Sequence, residues 1–154
     1  MRKKLLLTTL LVSTLFSYEI VVDKTSSAPR FERDNAKEVV IDTKTKLMWQ
    51  DDASVKSVER DFSGAKRYCK NLNFTGHSDW FLPSISQLET LVDTTKYEPA
   101  IQDGFKNIIS SNYWSSSPSV SLSISAWGVD FKYGYSYDGN KANEYYVRCA
   151  RAGQ

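Results

Sequence analysis

Few residues in this chain have types and spacings that could do chemistry. The one histidine, His77, stands two residues before Asp79 in "HSDWFLPSISQLETLVD" (77–93). A His-x-Asp pair could serve as a general base with its orienting carboxylate, but such a base also needs a nucleophile and a pocket. No G-x-S-x-G elbow accompanies it, so the pair reads as a polar surface turn whose substitution leaves stability and activity intact. The carboxylates Asp51, Asp52 and Asp61 do not have the spacing of an EF-hand loop, and neither a metal nor a cofactor is expected.

Residues suited to binding crowd together late in the chain. "KYGYSYDGNK" holds Lys132, Tyr133, Tyr135, Tyr137, Asp138, Asn140 and Lys141, with Gly134 and Gly139 between them. Tyrosine offers amphipathic contact area at low entropic cost, and Asp, Asn and Lys add directional hydrogen bonds. This chemistry suits a glycan or a protein epitope. Just upstream, Trp127 could stack on a pyranose face, although its alternation with Val129 and Phe131 favours burial. The hydroxyls of Ser115, Ser116 and Ser117 could meet a sugar or sulfate, or simply space a strand from a loop. Against all of these stands the plainer reading of a hairpin whose tyrosines cover a sheet.

The elements that must position these groups follow from pattern. Arg2, Lys3 and Lys4 precede an apolar stretch from Leu5 to Phe16, too short for the roughly 20 residues that span a bilayer. Residues 1–17 therefore read as a secretory signal peptide. Residues 18–36 mix charge, serine and proline and read as an irregular N-terminal segment. The folded domain is expected over 37–152. Val39-Val40-Ile41 and Leu47-Met48-Trp49 flank Asp42-Thr43-Lys44-Thr45-Lys46 as a hairpin. Phe62, Ala65, Cys69 and Leu72 have helical spacing, with Asp61 or Ser63 as cap. "PSISQLETLVD" forms a second helix, opened by Pro83 and by a capping box of Ser84 and Gln87. After it, alternating aromatics and "NEYYVRCAR" make antiparallel strands. The fold class is α+β: a hairpin, two helices, then a strand meander.

At 154 residues the chain fits one domain, and 13% aromatic residues argue against disorder. Loss of Arg2, Lys3 and Lys4 takes 20 basic residues to 17 against 18 acidic ones, so the formal charge passes from +2 to −1. An overall electrostatic case for nucleic acid disappears with them. Cys69 and Cys149 are the only cysteines. In an oxidising compartment an even pair reads as a disulfide, and a metal or redox role would need a CxxC or more histidines.

Six stretches, "DTKTKLMWQ", "AKRYCKNL", "DWFLPSISQLETLVD", "NYWSSS", "AWGVDF" and "YVRCAR", resemble in order the Lcl C-terminal domain family of exported bacterial proteins. They cover roughly residues 38–151. The family is similar to the C-type lectin-like and formylglycine-generating-enzyme superfold, which implies that Cys69 on the first helix bonds Cys149 on the last strand. The collagen-like adhesin after which the family is named binds sulfated glycosaminoglycans through this domain, so the resemblance implies a glycan ligand. The calcium-lectin Glu-Pro-Asn tripeptide is missing from the late loop, because Glu98-Pro99-Ala100 lies too early. The enzyme branch needs a reactive cysteine pair or a histidine cluster that this chain does not have. Lys46 stands where the family usually has glycine; a positive φ there would cost lysine about 1–2 kcal/mol. The expectation is therefore an exported, non-catalytic, disulfide-closed binding module, periplasmic or extracellular. Its partner would be a glycan or an envelope protein, and the alternative is a structural or protein-interaction module without sugar affinity.

Overall fold

The computed structural model describes residues 28–153. The expected signal peptide and most of the leading segment lie outside the described residues. The end of that segment is not irregular: Phe31–Asp34 form strand β1, because Phe31 is buried in the core and draws its neighbours into register. β1 pairs antiparallel with β2 (Val39–Asp42), and β2 pairs with β3 (Leu47–Gln50), as the hairpin pattern requires. The turn between β2 and β3 is built on Asp42. Its carboxylate accepts from the amides of Lys44 and Thr45, the Thr45 hydroxyl and the Arg30 guanidinium.

A single 3-10 turn (Ala53–Lys56) and the short β4 (Glu59–Arg60) lead into α1 (Phe62–Asn71). Asp61 caps α1 by accepting the Gly64 amide at 2.5 Å, which satisfies one of the orphan donors of the first turn. Ala65 and Cys69, one turn apart, are its buried stripe. The second helix, α2, is shorter than its pattern suggests, running only over Ile85–Glu89. The capping box is present, with Gln87 N donating to Ser84 Oγ at 3.2 Å and Ser84 N to Gln87 Oε1 at 2.8 Å. Thr90 stops the helix. Its hydroxyl donates to Gln87 O at 2.7 Å, and the amides of Thr90, Leu91 and Val92 bond three residues back instead of four. Leu88 and Leu91 still reach the core.

The strand meander follows as β5 (Asn112–Pro118), β6 (Ser125–Asp130), β7 (Tyr135–Asn140), β8 (Tyr145–Tyr146) and β9 (Ala150–Ala152). Among the described residues these strands make two sheets, ordered β1-β2-β3-β9 and β4-β8-β5-β6-β7. The second is mixed, because β8 runs parallel to β5. Among the described residues the protein is mostly sheet with two α-helices, within the expected α+β class.

Two apolar clusters cover opposite faces of the central strands. Tyr113 and Val129 enter one with Phe31, Trp49, Leu88 and Phe131; Trp114 and Ala126 enter the other with Phe62, Trp80, Leu82 and Val147. This is why β5 carries bulk at consecutive positions, Tyr113 and Trp114, instead of strict alternation. Cys69 on α1 bonds Cys149, with Cα atoms 5.5 Å apart, inside the second cluster. Between the clusters Arg148, fully buried, donates to Asp51 Oδ1 and to Gln50 O, each at 2.8 Å, and to Asn107 O.

Lys46 has φ +62°, in the left-handed region where a β-carbon is strained. Its carbonyl accepts Gly153 N at 2.6 Å, which ties the turn to the segment after β9. Lys46→Gly should therefore raise stability by about 0.5–1 kcal/mol, the relief of strain less the added chain entropy of glycine; urea denaturation measures it. Cys69→Ala/Cys149→Ala should lower the melting temperature steeply, because the bond closes a separation of 80 residues. The loop-entropy value is about 4–5 kcal/mol, and reduction of the wild type should reproduce the loss.

Candidate functional site

The tyrosine-rich stretch does not form one loop. Residues 131–134 make a tight turn, with Gly134 at φ +77° and its amide bonded to Asp130 O at 2.8 Å. That turn breaks the shared parity of Trp127, Val129 and Phe131 with the tyrosines. In the β6–β7 ladder Tyr135 lies opposite Asp130 and Tyr137 opposite Gly128, on the face away from Trp127 and Val129.

Tyr133 and Tyr135 stand together at the turn. Their rings are stacked at 6.1 Å with 4° between planes, and they are 57% and 53% exposed. Lys132 Nζ lies 5.1 Å from the Tyr133 ring and 3.7 Å from Glu98 Oε1. Contact with Tyr133 and Glu98 holds the Lys132 ammonium above its ordinary pKa. The charge of Asp130 across the ladder pushes the Tyr135 phenol up in turn. The turn is fixed from below: Glu98 N bonds Lys132 O at 2.8 Å, Ala100 N bonds Phe131 O at 2.7 Å, and a β-carbon on Gly134 would meet Val92 at 2.9 Å. Tyr97, the residue before Glu98, is 77% exposed.

Tyr137 is placed differently. Its ring lies against Gly128, where a β-carbon would come within 2.7 Å of the hydroxyl, and makes an edge contact with Tyr145 at 5.5 Å. Gly139 opens the slot for Tyr145, which packs on Trp114 at 4.5 Å. Burial drives the Tyr137 phenol far up, so it stays protonated as packing. Trp127 is half-buried, neither lost in the core nor fully offered. Asp138 and Asn140 are exposed further along β7, and Asn140 caps the next turn through the Ala142 amide. Lys141 lies at the far end of β7, roughly 20 Å from Lys132 at about 3.3 Å per residue. Its ammonium donates to Ser123 O at 2.5 Å and sits 5.6 Å from the Phe62 ring. Lys132, Tyr133 and Tyr135 are thus brought together, while Asp138, Asn140 and Lys141 belong to the opposite end of the strand. The serines are fastened: Ser115 Oγ donates to Trp127 O at 2.7 Å, and Ser117 Oγ accepts the Ile85 amide at 3.0 Å.

A second surface was not expected from the sequence. Lys66, Arg67 and Lys70 project from α1, with Arg60 before it and Lys141 beside its first turn. Among the described residues none of the five pairs with a carboxylate. Two clefts flank the helix. One of 430 Å³ is lined by Arg60, Arg67, Tyr68 and Asn71, the other of 460 Å³ by Lys66, Lys70, Trp80 and Ser116. The available signal was the acid-free run "KRYCK".

The His77 and Asp79 pair is not all free surface. Asp79 accepts Arg151 Nε at 2.8 Å and a second guanidinium nitrogen at 3.1 Å, and Arg151 is only 5% exposed. His77 lines a 190 Å³ cleft with Lys46 and Arg151. The expectation that Asp79 is dispensable is therefore corrected: it neutralises a buried cation.

The model of the Lcl C-terminal domain matches residues 38–151, and the chain belongs to that family. No curated protein matches the sequence. Among the described residues no helix is long and apolar enough to cross a membrane.

The ion pair with Arg151 depresses the Asp79 carboxyl below its ordinary value. A depressed carboxylate contributes stability that is present above the unfolded pKa and lost as pH falls through the folded one. Asp79→Ala should lower the melting temperature at neutral pH, and the gap from wild type should close below about pH 4, the ordinary aspartate range. Melting curves across that range measure both.

Proposed function

We propose that the chain is an exported, non-catalytic binding module of C-type-lectin-like fold, and that its ligand is a glycan. The observation that carries this reading is the stacked, half-exposed Tyr133–Tyr135 pair beside Lys132, held on a turn pinned to the core. Aromatic rings offered on a rigid support stack against the CH faces of a sugar, and a neighbouring ammonium and carboxylate (here Lys132 and Glu98) add direction. The lectin-like reading is supported by a disulfide from α1 to the residue just before β9 and by β9 lying beside β3. Export is supported by the disulfide, which persists in oxidising compartments, and by the N-terminal Arg-Lys-Lys and apolar run. The Lcl C-terminal domain membership agrees with a surface-binding role.

Glycan-array binding of wild type against Tyr133→Ala/Tyr135→Ala tests it. Loss of the stacked pair should weaken binding by about 1 kcal/mol or more, roughly five- to tenfold, with an unchanged melting curve. Wild-type binding by the double variant, or no glycan bound by the wild type, would overturn the proposal.

A further inference from the structure

The loop between β5 and β6 exposes three aliphatic side chains: Val120 at 100%, Leu122 at 51% and Ile124 at 62%. They alternate with serines in "SVSLSIS", and no charged residue occurs from Tyr113 to Val129. A loop tip that carries three exposed aliphatics and no charge is unfavourable in water unless something covers it.

Its surroundings define what fits. Lys141 N donates to Ile124 O at 2.8 Å, and Lys141 Nζ donates to Ser123 O. Lys141 O in turn accepts the amide of Phe62, the first residue of α1. The Phe62 ring lies 5.1 Å from Lys66 Nζ and 5.6 Å from Lys141 Nζ. Ser116, on the strand that leads to the loop, forms a cleft wall with Lys66, Lys70 and Trp80. An apolar tip therefore adjoins a row of lysines that have no carboxylate partner among the described residues.

We infer that this end of the protein docks on an anionic lipid surface, with Val120, Leu122 and Ile124 entering the headgroup boundary and Lys66, Lys70 and Lys141 facing lipid phosphates. Apolar insertion next to basic side chains is the chemistry by which peripheral proteins hold a charged bilayer. A second copy fits worse. A two-fold contact through the loop would bring each lysine row against its own image, and three aliphatic side chains are far short of the roughly 1,200 Å² that a stable interface buries. A soluble polyanion would meet the lysines but leave the aliphatics in water.

The test is sedimentation of the full chain with phosphatidylcholine vesicles, with and without phosphatidylglycerol. Wild type and variants share the Leu5–Phe16 stretch, so differences between them report the loop and the lysines. Lys66→Gln/Lys70→Gln/Lys141→Gln should weaken binding to the anionic vesicles on the order of a hundredfold, since each surface lysine contributes about 1 kcal/mol. Val120→Ser/Leu122→Ser/Ile124→Ser should weaken it at least about tenfold without changing the melting curve. Val120→Asp, at a fully exposed side chain with no packing at stake, should act in the same direction. Three outcomes would overturn the inference. The loop variants could bind anionic vesicles as wild type does. Wild type could bind dextran sulfate as tightly as it binds those vesicles, which would make the lysines a polyanion site. Or the effect of the loop variants could be to dissociate a dimer in sedimentation velocity, which would make the loop a contact between copies.

Discussion

The charge pair between Arg148 and Asp51 is the contact on which the rest of this structure leans. Both side chains are out of water, and two ions so placed cost several kcal/mol each in lost hydration. The fold offsets part of this with hydrogen bonds to both side chains, although the buried Arg148 Nε has no partner among the described residues. Arg148 reaches Gln50 O and Asn107 O, while Asp51 accepts the amides of Lys106 and Asn107 and pairs with Arg33. Burial lowers the Arg148 pKa to about 10, still well above neutrality, so the guanidinium keeps its charge. These bonds draw β1, the end of β3, the 106–107 segment and the residue before Cys149 to one point. The disulfide and the Gln50 side chain, which accepts the Cys149 amide at 3.3 Å, then take their places around it. Removing one partner alone would leave the other charge stranded, at about 3–5 kcal/mol.

What could be read from the sequence was local. The hairpin, the first turn of α1 and the Ser84 box are each set by residues within four positions of one another, and all three stand where their patterns put them. So does Lys46, whose left-handed backbone follows from the glycine usual at that place. What could not be read depends on partners distant in the chain. β1 exists because Phe31 reaches a core assembled from residues up to 150. The length of α2 is set by a hydroxyl that competes for the carbonyl its helix needs. Parity along the tyrosines is lost at the four-residue turn, which periodicity across the turn cannot reveal. The basic face of α1 was hidden by averaging: a net charge near zero says nothing about how charges are segregated, and Asp42, Asp51 and Asp79 are spent elsewhere, on Arg30, Arg33, Arg148 and Arg151.

The glycines of the second sheet show the same division of labour. Gly128 and Gly139 have ordinary strand backbones, yet each is a recess shaped for a tyrosine ring. One tyrosine of β7 is thereby withdrawn into packing, while its neighbour at the turn stays out beside Tyr133. Aromatic residues of one type, two positions apart, come to have unrelated roles.

The pairing of β9 with β3, and of Cys149 with a helix 80 residues earlier, also bears on when this fold can exist. A polypeptide is delivered from its amino end. Its hairpin, both helices and most of its second sheet emerge before the residues that unite them. Until Val147–Arg151 arrive, Asp51 has no Arg148, Cys69 has no partner, and both apolar clusters lack a wall. Pairings of such long sequence separation are the ones whose loop-closure entropy slows folding most. A chain lacking residues 147–151 would leave Cys69 without its partner and both clusters open on one side.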